Sequence, residues 1–270
     1  MDLPHIVEPE GLVPLLGSPG LVVVDVSKPE SYAAGHLPGA VHLDYARLVR
    51  KRDKAGGLLP DEAQIAAVLS ALGITPDDHV VAYDDEGGGR ASRLIWRLHM
   101  IGHAATTLLG GGTPAWTADG HALETRTVQP APSDYPVVIG AAAGADKDYI
   151  LARLGRADVV LLDTRSPEEY RGSDVRAARG GHIPGAVNFN WTLAMDADRQ
   201  QRVRPRAELE AMFAKLGVTR DKEVIAYCQT HHRSSHTYVV LRFLGYDDAK
   251  GYAGAWSEWG NDPDTPIETG

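Results

Sequence analysis

The sequence contains one cysteine, Cys228, in 270 residues. A single thiol excludes an internal disulfide and a structural zinc site built on several thiolates, which predicts a cytoplasmic protein in a reducing compartment. Residues 1–16 contain Asp2, Glu8 and Glu10 but no lysine or arginine, and they lack the apolar core of a signal peptide. No apolar run is long enough to span a membrane. The net charge of −9 argues against nonspecific nucleic-acid binding.

The cysteine ends an apolar run, Val224–Tyr227, and begins a polar, cationic stretch. A strand that ends on a thiol before such a loop and a helix exposes a nucleophile. Arginine, imidazole and the unpaired N–H groups of a helix start all favour its thiolate. The same position is also compatible with a small buried hydrophobic side chain. The loop singled out in this way consists of Cys228, Gln229, Thr230, His231, His232, Arg233 and Ser234.

The two halves of the chain repeat the same order of segments. Leu21–Asp25 matches Val159–Asp163, and a Gly-His-x-Pro-Gly-Ala-Val turn follows each run, at 35–41 and 181–187. Short β-branched runs alternate with helical segments in both halves, which predicts parallel strands joined by crossover helices. We therefore expect an α/β fold in two tandem domains, each a mainly parallel sheet flanked by helices.

A segment rich in proline, alanine and glycine, 125–145, separates the halves and predicts a linker. The predicted N-terminal domain then covers 1–124 and the C-terminal domain 146–270. Within the repeat, Asp84 takes the position of Cys228, so the first domain has no thiol.

The ends of the two halves also look alike. Gly110–Trp116 aligns with Gly251–Trp256, which pairs Trp116 with Trp256. We assign Trp256 and Trp259 to the core or to the junction of the domains.

Together these residues resemble the tandem rhodanese sulfurtransferases over nearly the whole chain. The resemblance rests on the duplicated strand aspartate, the Gly-His-x-Pro-Gly-Ala turn, the cysteine loop in one half only, and the terminal motif Gly254–Trp259. The loop Cys-Gln-Thr-His-His-Arg is similar to that of bacterial thiosulfate sulfurtransferases.

The resemblance implies a two-step reaction without a metal or organic cofactor. The Cys228 thiolate would take the outer sulfur of thiosulfate, sulfite would depart, and the resulting persulfide would pass its sulfur to cyanide, a thiol or a protein. The partners implied are thus a small anionic sulfur donor and a sulfur acceptor, with no nucleic acid and no membrane. Backbone N–H groups of 229–234 would stabilise the anion, and Arg233 would bind sulfur-donor oxygens or form a surface ion pair.

Loop length argues against a related chemistry. Phosphatases that share this fold place five residues between cysteine and arginine, whereas four residues separate Cys228 from Arg233. The shorter loop suits a sulfur atom better than a phosphoryl group.

The first domain offers carboxylates at the matching place and is therefore expected to be inactive. Asp84 and Glu86 either reach the active site or, as we favour, form a solvated turn. Asp163 and Arg165 are expected to tie strand ends together.

Several side chains near the cysteine have more than one interpretation. The thiol with His231, His232 and His236 could suggest zinc, but adjacent histidines in a tight loop cannot easily face one metal, so we expect no metal site. Trp191 either lines the pocket near the sulfur or packs in the core.

His36 and His182 occur in both halves, including the half without a thiol. We therefore expect them to be structural.

The substrate remains open between donors. The loop residues Gln229 and Thr230 and the acidic pair Glu168 and Glu169 depart from the more basic animal mitochondrial thiosulfate enzymes. The Cys-Gly-Ser-Gly-type loop of mercaptopyruvate enzymes is absent too. Thiosulfate is the favoured donor, with mercaptopyruvate transfer, or stoichiometric delivery of persulfide sulfur to a partner protein, as alternatives.

Overall fold

The structure is a computed structural model that describes residues 3–140 and 142–270. Within these ranges the chain forms two compact units. The first unit comprises 3–48, Pro60–Gly140 and Met195–Val203. The second comprises Val49–Leu59, 142–194 and Arg204–Gly270.

Most strands are short, and their bounds follow the chain. They are β1 (Ile6–Val7), β2 (Leu21–Asp25), β3 (Val41–His42), β4 (Arg50–Arg52), β5 (Ala55–Leu58), β6 (His79–Tyr83), β7 (Thr106–Leu109), β8 (Gly144–Ala145), β9 (Val159–Asp163), β10 (Val187–Asn188), β11 (Met195–Asp196), β12 (Arg202–Val203), β13 (Glu223–Tyr227) and β14 (Ala249–Tyr252).

The helices alternate with these strands. They are α1 (Pro9–Leu12), α2 (Pro29–Ala34), α3 (Glu62–Ala71), α4 (Gly89–Met100), α5 (Gly112–Ala118), α6 (Lys147–Leu151), α7 (Pro167–Arg171), α8 (Arg206–Lys215), α9 (Arg233–Leu244) and α10 (Ala255–Trp259). No helix in the described ranges is long and apolar enough to cross a membrane.

Each unit contains one five-stranded sheet, and all of its strand pairs are parallel. The strand order is β1-β7-β6-β2-β3 in the first sheet and β8-β14-β13-β9-β10 in the second. The same topology therefore occurs twice, which confirms the predicted fold class. Parallel strands buried on both faces read as apolar runs, as β6 and β13 do.

The parallel topology decides where the loops of interest lie. In each sheet the strands point the same way, so the loops that follow them gather at the carboxyl edge. Asp84 leaves β6 and Cys228 leaves β13 at this edge of their own sheets. Each residue precedes a twelve-residue helix, α4 or α9.

Strand pairing corrects the predicted alignment of the two chain ends. Ala82 pairs with Leu108 and Ala226 with Gly251, which sets the structural register of the two halves. In that register the counterpart of Trp116 is Trp259 rather than Trp256. Their indole N–H groups make the same kind of bond, Trp116 to the Ala122 carbonyl and Trp259 to the Pro266 carbonyl.

The tryptophans of the second half lie in its core. Trp256 and Trp259 are fully buried and pack with Tyr227 and Tyr252. Their assignment to a core is therefore confirmed.

Two hairpins belong to the unit opposite to their half of the chain. The antiparallel pair β4–β5 is part of the second unit, and β11–β12 is part of the first. Position along the sequence therefore does not decide which unit a segment completes.

The segment predicted as a linker runs without regular secondary structure until β8. Its first part packs on the first unit, where Tyr135 is buried and the Ser133 N–H bonds to the Ser70 carbonyl at 2.9 Å. Its end pairs with β14 in the second sheet. Ala141, which falls inside the predicted linker, lies outside the described residues.

Candidate active site

The thiol of Cys228 lies at the start of the loop that joins β13 to α9, and it is fully buried. Strand β13 is the central strand of its sheet and is buried from Val224 to Tyr227. The preceding residue is anchored, since the Tyr227 hydroxyl accepts a hydrogen bond from the Ile183 N–H at 3.1 Å. The cysteine is thus held on a rigid element rather than on a free loop.

The start of α10 holds the outside of the loop. The Trp256 N–H donates to the Cys228 carbonyl and the Ser257 N–H donates to the Gln229 carbonyl, both at 2.9 Å. Ala255 has φ 52°, a left-handed conformation that aims these amides at the loop. The terminal Gly-Ala-Trp motif therefore fixes the cysteine loop through its backbone.

Polar groups surround the sulfur despite its burial. Burial raises the pKa of the Cys228 thiol, but the Arg233 charge, the Ser234 hydroxyl and the N–H groups of Ser234 and Thr230 outweigh it, and the net pKa lies below its ordinary value. The arrangement stabilises the thiolate, which is the nucleophilic form. The alternative of a cysteine acting only as a small hydrophobic side chain does not fit these contacts.

Arg233 begins α9 and bridges the thiol to a buried carboxylate. Its guanidinium makes two bonds to Glu169, at 2.6 and 2.8 Å, and also interacts with Cys228. Burial alone lowers the pKa of Arg233, but bonding to Glu169 and the charge of Cys228 raise it, so the cation is permanent. The predicted surface ion pair is wrong, because Glu169 is 1 % exposed.

Glu169 is a site residue that sequence reasoning placed only in an acidic wall segment. It is the third residue of α7, where it completes a capping box with Ser166. Burial raises the pKa of Glu169, but Arg233 reverses this and the net pKa is lowered. The signal for it was the spacing Ser166-Pro-Glu-Glu169, which fixes the direction of a carboxylate at a helix start.

His231 shapes the tight turn of the loop. It has φ 57° and is fully buried, and its Nδ1 lies 2.7 Å from the Ser234 hydroxyl oxygen. Its carbonyl accepts a hydrogen bond from the Ser235 hydroxyl. These contacts hold Ser234 where it can serve the sulfur.

Other predicted loop residues are placed around the sulfur's neighbours. The Gln229 side chain points away and donates to the Arg176 carbonyl at 3.0 Å. Trp191, partly exposed, stands with its ring centroid 5.9 Å from that of His232 and 5.5 Å from that of His236. The tryptophan thus borders the helix that carries the site.

His236 lies one turn into α9 and is fully buried. Burial, with a contribution from nearby His232, lowers the pKa of His236 to about 4, so its ring is neutral at pH 7. No group of three or more histidine, cysteine, aspartate or glutamate side chains in residues 3–140 and 142–270 is placed to hold a metal ion.

The equivalent loop of the first unit is also a ring of amides, and Asp84 fills it. The Asp84 carboxylate accepts hydrogen bonds from the N–H groups of Glu86, Gly88, Arg90 and Ala91 at 2.8 to 2.9 Å. The side chain is fully buried, so the predicted solvated turn is wrong. The physical reason is that the amides replace the water that would otherwise solvate the carboxylate.

The remaining predicted residues are structural. Arg165 bonds to Asp163 through both nitrogens that face it and to the Gly181 carbonyl, which ties the ends of the strands together. His36 and His182 each bond through Nδ1 to a tyrosine carbonyl, at 2.8 Å, and stack on that tyrosine ring. The Gly-His turns are thus equivalent in both units.

A thiolate in an amide ring, on a twice-repeated parallel α/β sheet, defines a rhodanese-type fold and site. The rhodanese-like domain model matches residues 8–119 and 146–262, and the chain belongs to this family.

The similar proteins agree with this assignment. The chain is 48% identical over 267 residues to a thiosulfate sulfurtransferase of Pseudomonas aeruginosa, covering 99% of this chain and 98% of the relative. It is 47% identical to a thiosulfate sulfurtransferase of Azotobacter vinelandii, covering 99% and 98%. It also resembles the solved structure of SseA from Escherichia coli, described as a 3-mercaptopyruvate sulfotransferase, with a TM-score of 0.84, 26% identity and coverage of 94% and 99%.

Proposed function

We propose that the protein is a thiosulfate sulfurtransferase that carries the transferred sulfur as a persulfide on Cys228. The observation that carries this proposal is the buried thiol held as a thiolate by Arg233, Ser234 and the Thr230 N–H. Near-full-length identity to two thiosulfate sulfurtransferases supports the choice of donor. The second domain is the catalytic one, because the first has Asp84 where the nucleophile would be.

The first step is a displacement at sulfur. The Cys228 thiolate attacks the outer sulfur of thiosulfate, a new S–S bond forms, and the old S–S bond breaks with its electron pair leaving on sulfite. The product is an enzyme persulfide. Arg233 stays charged throughout because Glu169 is its permanent partner.

The second step returns the enzyme to its starting state. An acceptor nucleophile attacks the outer persulfide sulfur, the bond to Cys228 breaks, and the electron pair remains on the Cys228 thiolate. The N–H groups and Ser234 that stabilise this thiolate make it a better leaving group. Cyanide would give thiocyanate, and a thiol acceptor would give a new persulfide.

The test is the mass of the protein and its turnover. Treatment with thiosulfate should add one sulfur atom to wild-type protein and none to the Cys228→Ala variant, which should form no thiocyanate. The Asp84→Ala variant provides the matched control and should load one sulfur as the wild type does. Equal turnover by Cys228→Ala would overturn the proposal.

Mercaptopyruvate is the second candidate donor, favoured by the likeness to SseA. Release of pyruvate from mercaptopyruvate, compared with release of sulfite from thiosulfate at equal donor concentration, decides between them. Fast loading with no turnover to small acceptors would instead indicate a stoichiometric carrier. A reducing, cytoplasmic compartment suits a reaction that depends on a free thiol.

A further inference from the structure

The hairpin β4–β5 carries the densest basic run of the chain and belongs to the unit that contains Cys228. Residues 50–54 are all exposed. Four of them are basic and one is acidic, namely Arg50, Lys51, Arg52, Asp53 and Lys54. Without this hairpin, acidic side chains outnumber basic ones in the second unit. The hairpin therefore supplies the unit's main positive surface.

The base of the same hairpin packs directly against the cysteine loop. The Gly56 N–H donates to the Ser257 hydroxyl at 3.2 Å. A Cβ atom at Gly57 would collide with the carbonyl oxygen of Thr230 and would lie 2.8 Å from that of Ala253. Glycine is required for this close approach. The basic tip is thus mounted on the backbone that surrounds the sulfur.

We propose that the exposed tip, 50–54, is the docking surface for an acidic protein that accepts the Cys228 persulfide sulfur. This inference rests on the proposed function. A dianion such as thiosulfate needs only the donors around the cysteine, whereas a row of four basic side chains matches the acidic surface of a macromolecule. The tip has no aromatic side chain for base stacking, and the acidic chain as a whole disfavours a nucleic acid.

The transfer it would promote is balanced without an oxidant. The acceptor's thiolate attacks the outer sulfur of the persulfide, a new S–S bond forms on the acceptor, and the bond to Cys228 breaks. Its electron pair stays on the Cys228 sulfur, and the acceptor leaves as a persulfide. The hairpin contributes charge complementarity, which raises the association rate rather than the rate of bond exchange.

The experiment measures sulfur transfer from thiosulfate-loaded, full-length protein to two synthetic thiol peptides. One peptide carries its cysteine among aspartates and glutamates, and the other among lysines. The variant is Lys51→Gln/Arg52→Gln/Lys54→Gln. The control Lys215→Gln/Arg220→Gln/Lys222→Gln removes the same charge from the segment before β13, at the sheet edge opposite Cys228.

We expect the hairpin variant to transfer sulfur to the acidic peptide about tenfold more slowly at low ionic strength, a steering effect that salt at about 0.5 M should nearly abolish. The control variant should stay within about twofold of wild type. Thiosulfate loading and transfer to cyanide should be unchanged in both variants.

Each other outcome overturns the inference in a recognisable way. An unchanged rate with the acidic peptide removes the docking role, and an equal loss in thiosulfate loading reassigns the hairpin to capture of small anions. Competition by duplex or single-stranded nucleic acid would indicate a different macromolecule. Failure of wild-type Cys228 to gain a sulfur would overturn the proposed function itself, whereas normal loading with charge-independent transfer would overturn the docking role alone.

Discussion

The loops after β6 and β13 leave equivalent strands of the same sheet topology, and each wraps backbone amides around one anionic side chain. In the first unit that anion is the Asp84 carboxylate, which uses four N–H groups. In the second it is the Cys228 thiolate. The comparison teaches that the amide ring is a property of the fold, whereas reactivity depends on which side chain fills it.

The two arginines sharpen the contrast. Arg233 points inward, to Glu169 and the sulfur, because α7 presents a buried carboxylate to it. Arg90 follows a loop with one more residue and pairs with Asp85 and Glu86 at 2.9 Å, within the loop itself. A cation beside the anion is thus a feature of the second loop only.

The largest expected difference between the loops concerns catalysis. Cys228→Ser should lower sulfur transfer by at least about 10⁴-fold, since loss of a covalent nucleophile removes the reaction path. Asp84→Asn, the comparable change in the first loop, should leave transfer within about twofold of wild type. Thiocyanate formation at saturating thiosulfate measures both. A large loss in Asp84→Asn with an intact fold would contradict the view that the first loop is only structural.

The arginines should differ by a smaller factor. Arg233→Gln should reduce kcat/KM for thiosulfate by about 10²-fold to 10³-fold, because it removes the charge-assisted bond to the reacting sulfur. Arg90→Gln should cause no change. The pH dependence of iodoacetamide alkylation supplies a second readout, since the Cys228 thiol should react with a higher midpoint in Arg233→Gln. An unmoved midpoint would separate Arg233 from the thiolate.

Stability should reverse the ranking of the two loops. Asp84→Ala should lower the free energy of unfolding by about 2 to 4 kcal/mol, because it leaves buried N–H donors without their acceptor. The half-buried neighbour gives the control, and Asp85→Ala should cost less than about 1 kcal/mol. Urea denaturation monitored by tryptophan fluorescence measures both. Equal, small losses would show that water satisfies the vacated amides.

The smallest effect is the pH dependence of stability that Cys228 contributes. Because its folded-state pKa is lowered, the unfolded chain binds more protons between that pKa and the ordinary thiol pKa of about 8.5. Stability of the wild type relative to Cys228→Ala should therefore rise with pH across this window and be lost as pH falls through the folded pKa. Urea midpoints of both proteins at several pH values test the sign, and a falling difference would contradict it.

Much of this architecture could be predicted from the sequence, because the duplicated apolar runs and Gly-His turns fix strand order and position. The cysteine loop was equally clear, since its polar residues interrupt a buried strand. Glu169 and Asp84 were misjudged for one reason. Acidic residues in a sequence suggest water-exposed surface, and only the folded backbone reveals donors that let a carboxylate be buried.

The role of the terminal motif was also missed. Trp256 suggested an aromatic core residue, and its side chain is one, but its amide is what holds the Cys228 carbonyl. Backbone donors leave no mark in residue type. The same holds for Gly57, whose closeness to Thr230 depends on a long-range contact that no local pattern encodes.

The exchange of hairpins has a consequence for how the polypeptide matures. Gly56 and Gly57 emerge from the ribosome well before the cysteine loop that they support, while β11–β12 emerges after the rest of the unit that it completes. Neither half can reach its final form during synthesis of that half alone, because such long-range contacts must await the later segment. Splitting the gene at the intervening segment would give two fragments that each lack a piece and carry a surplus one.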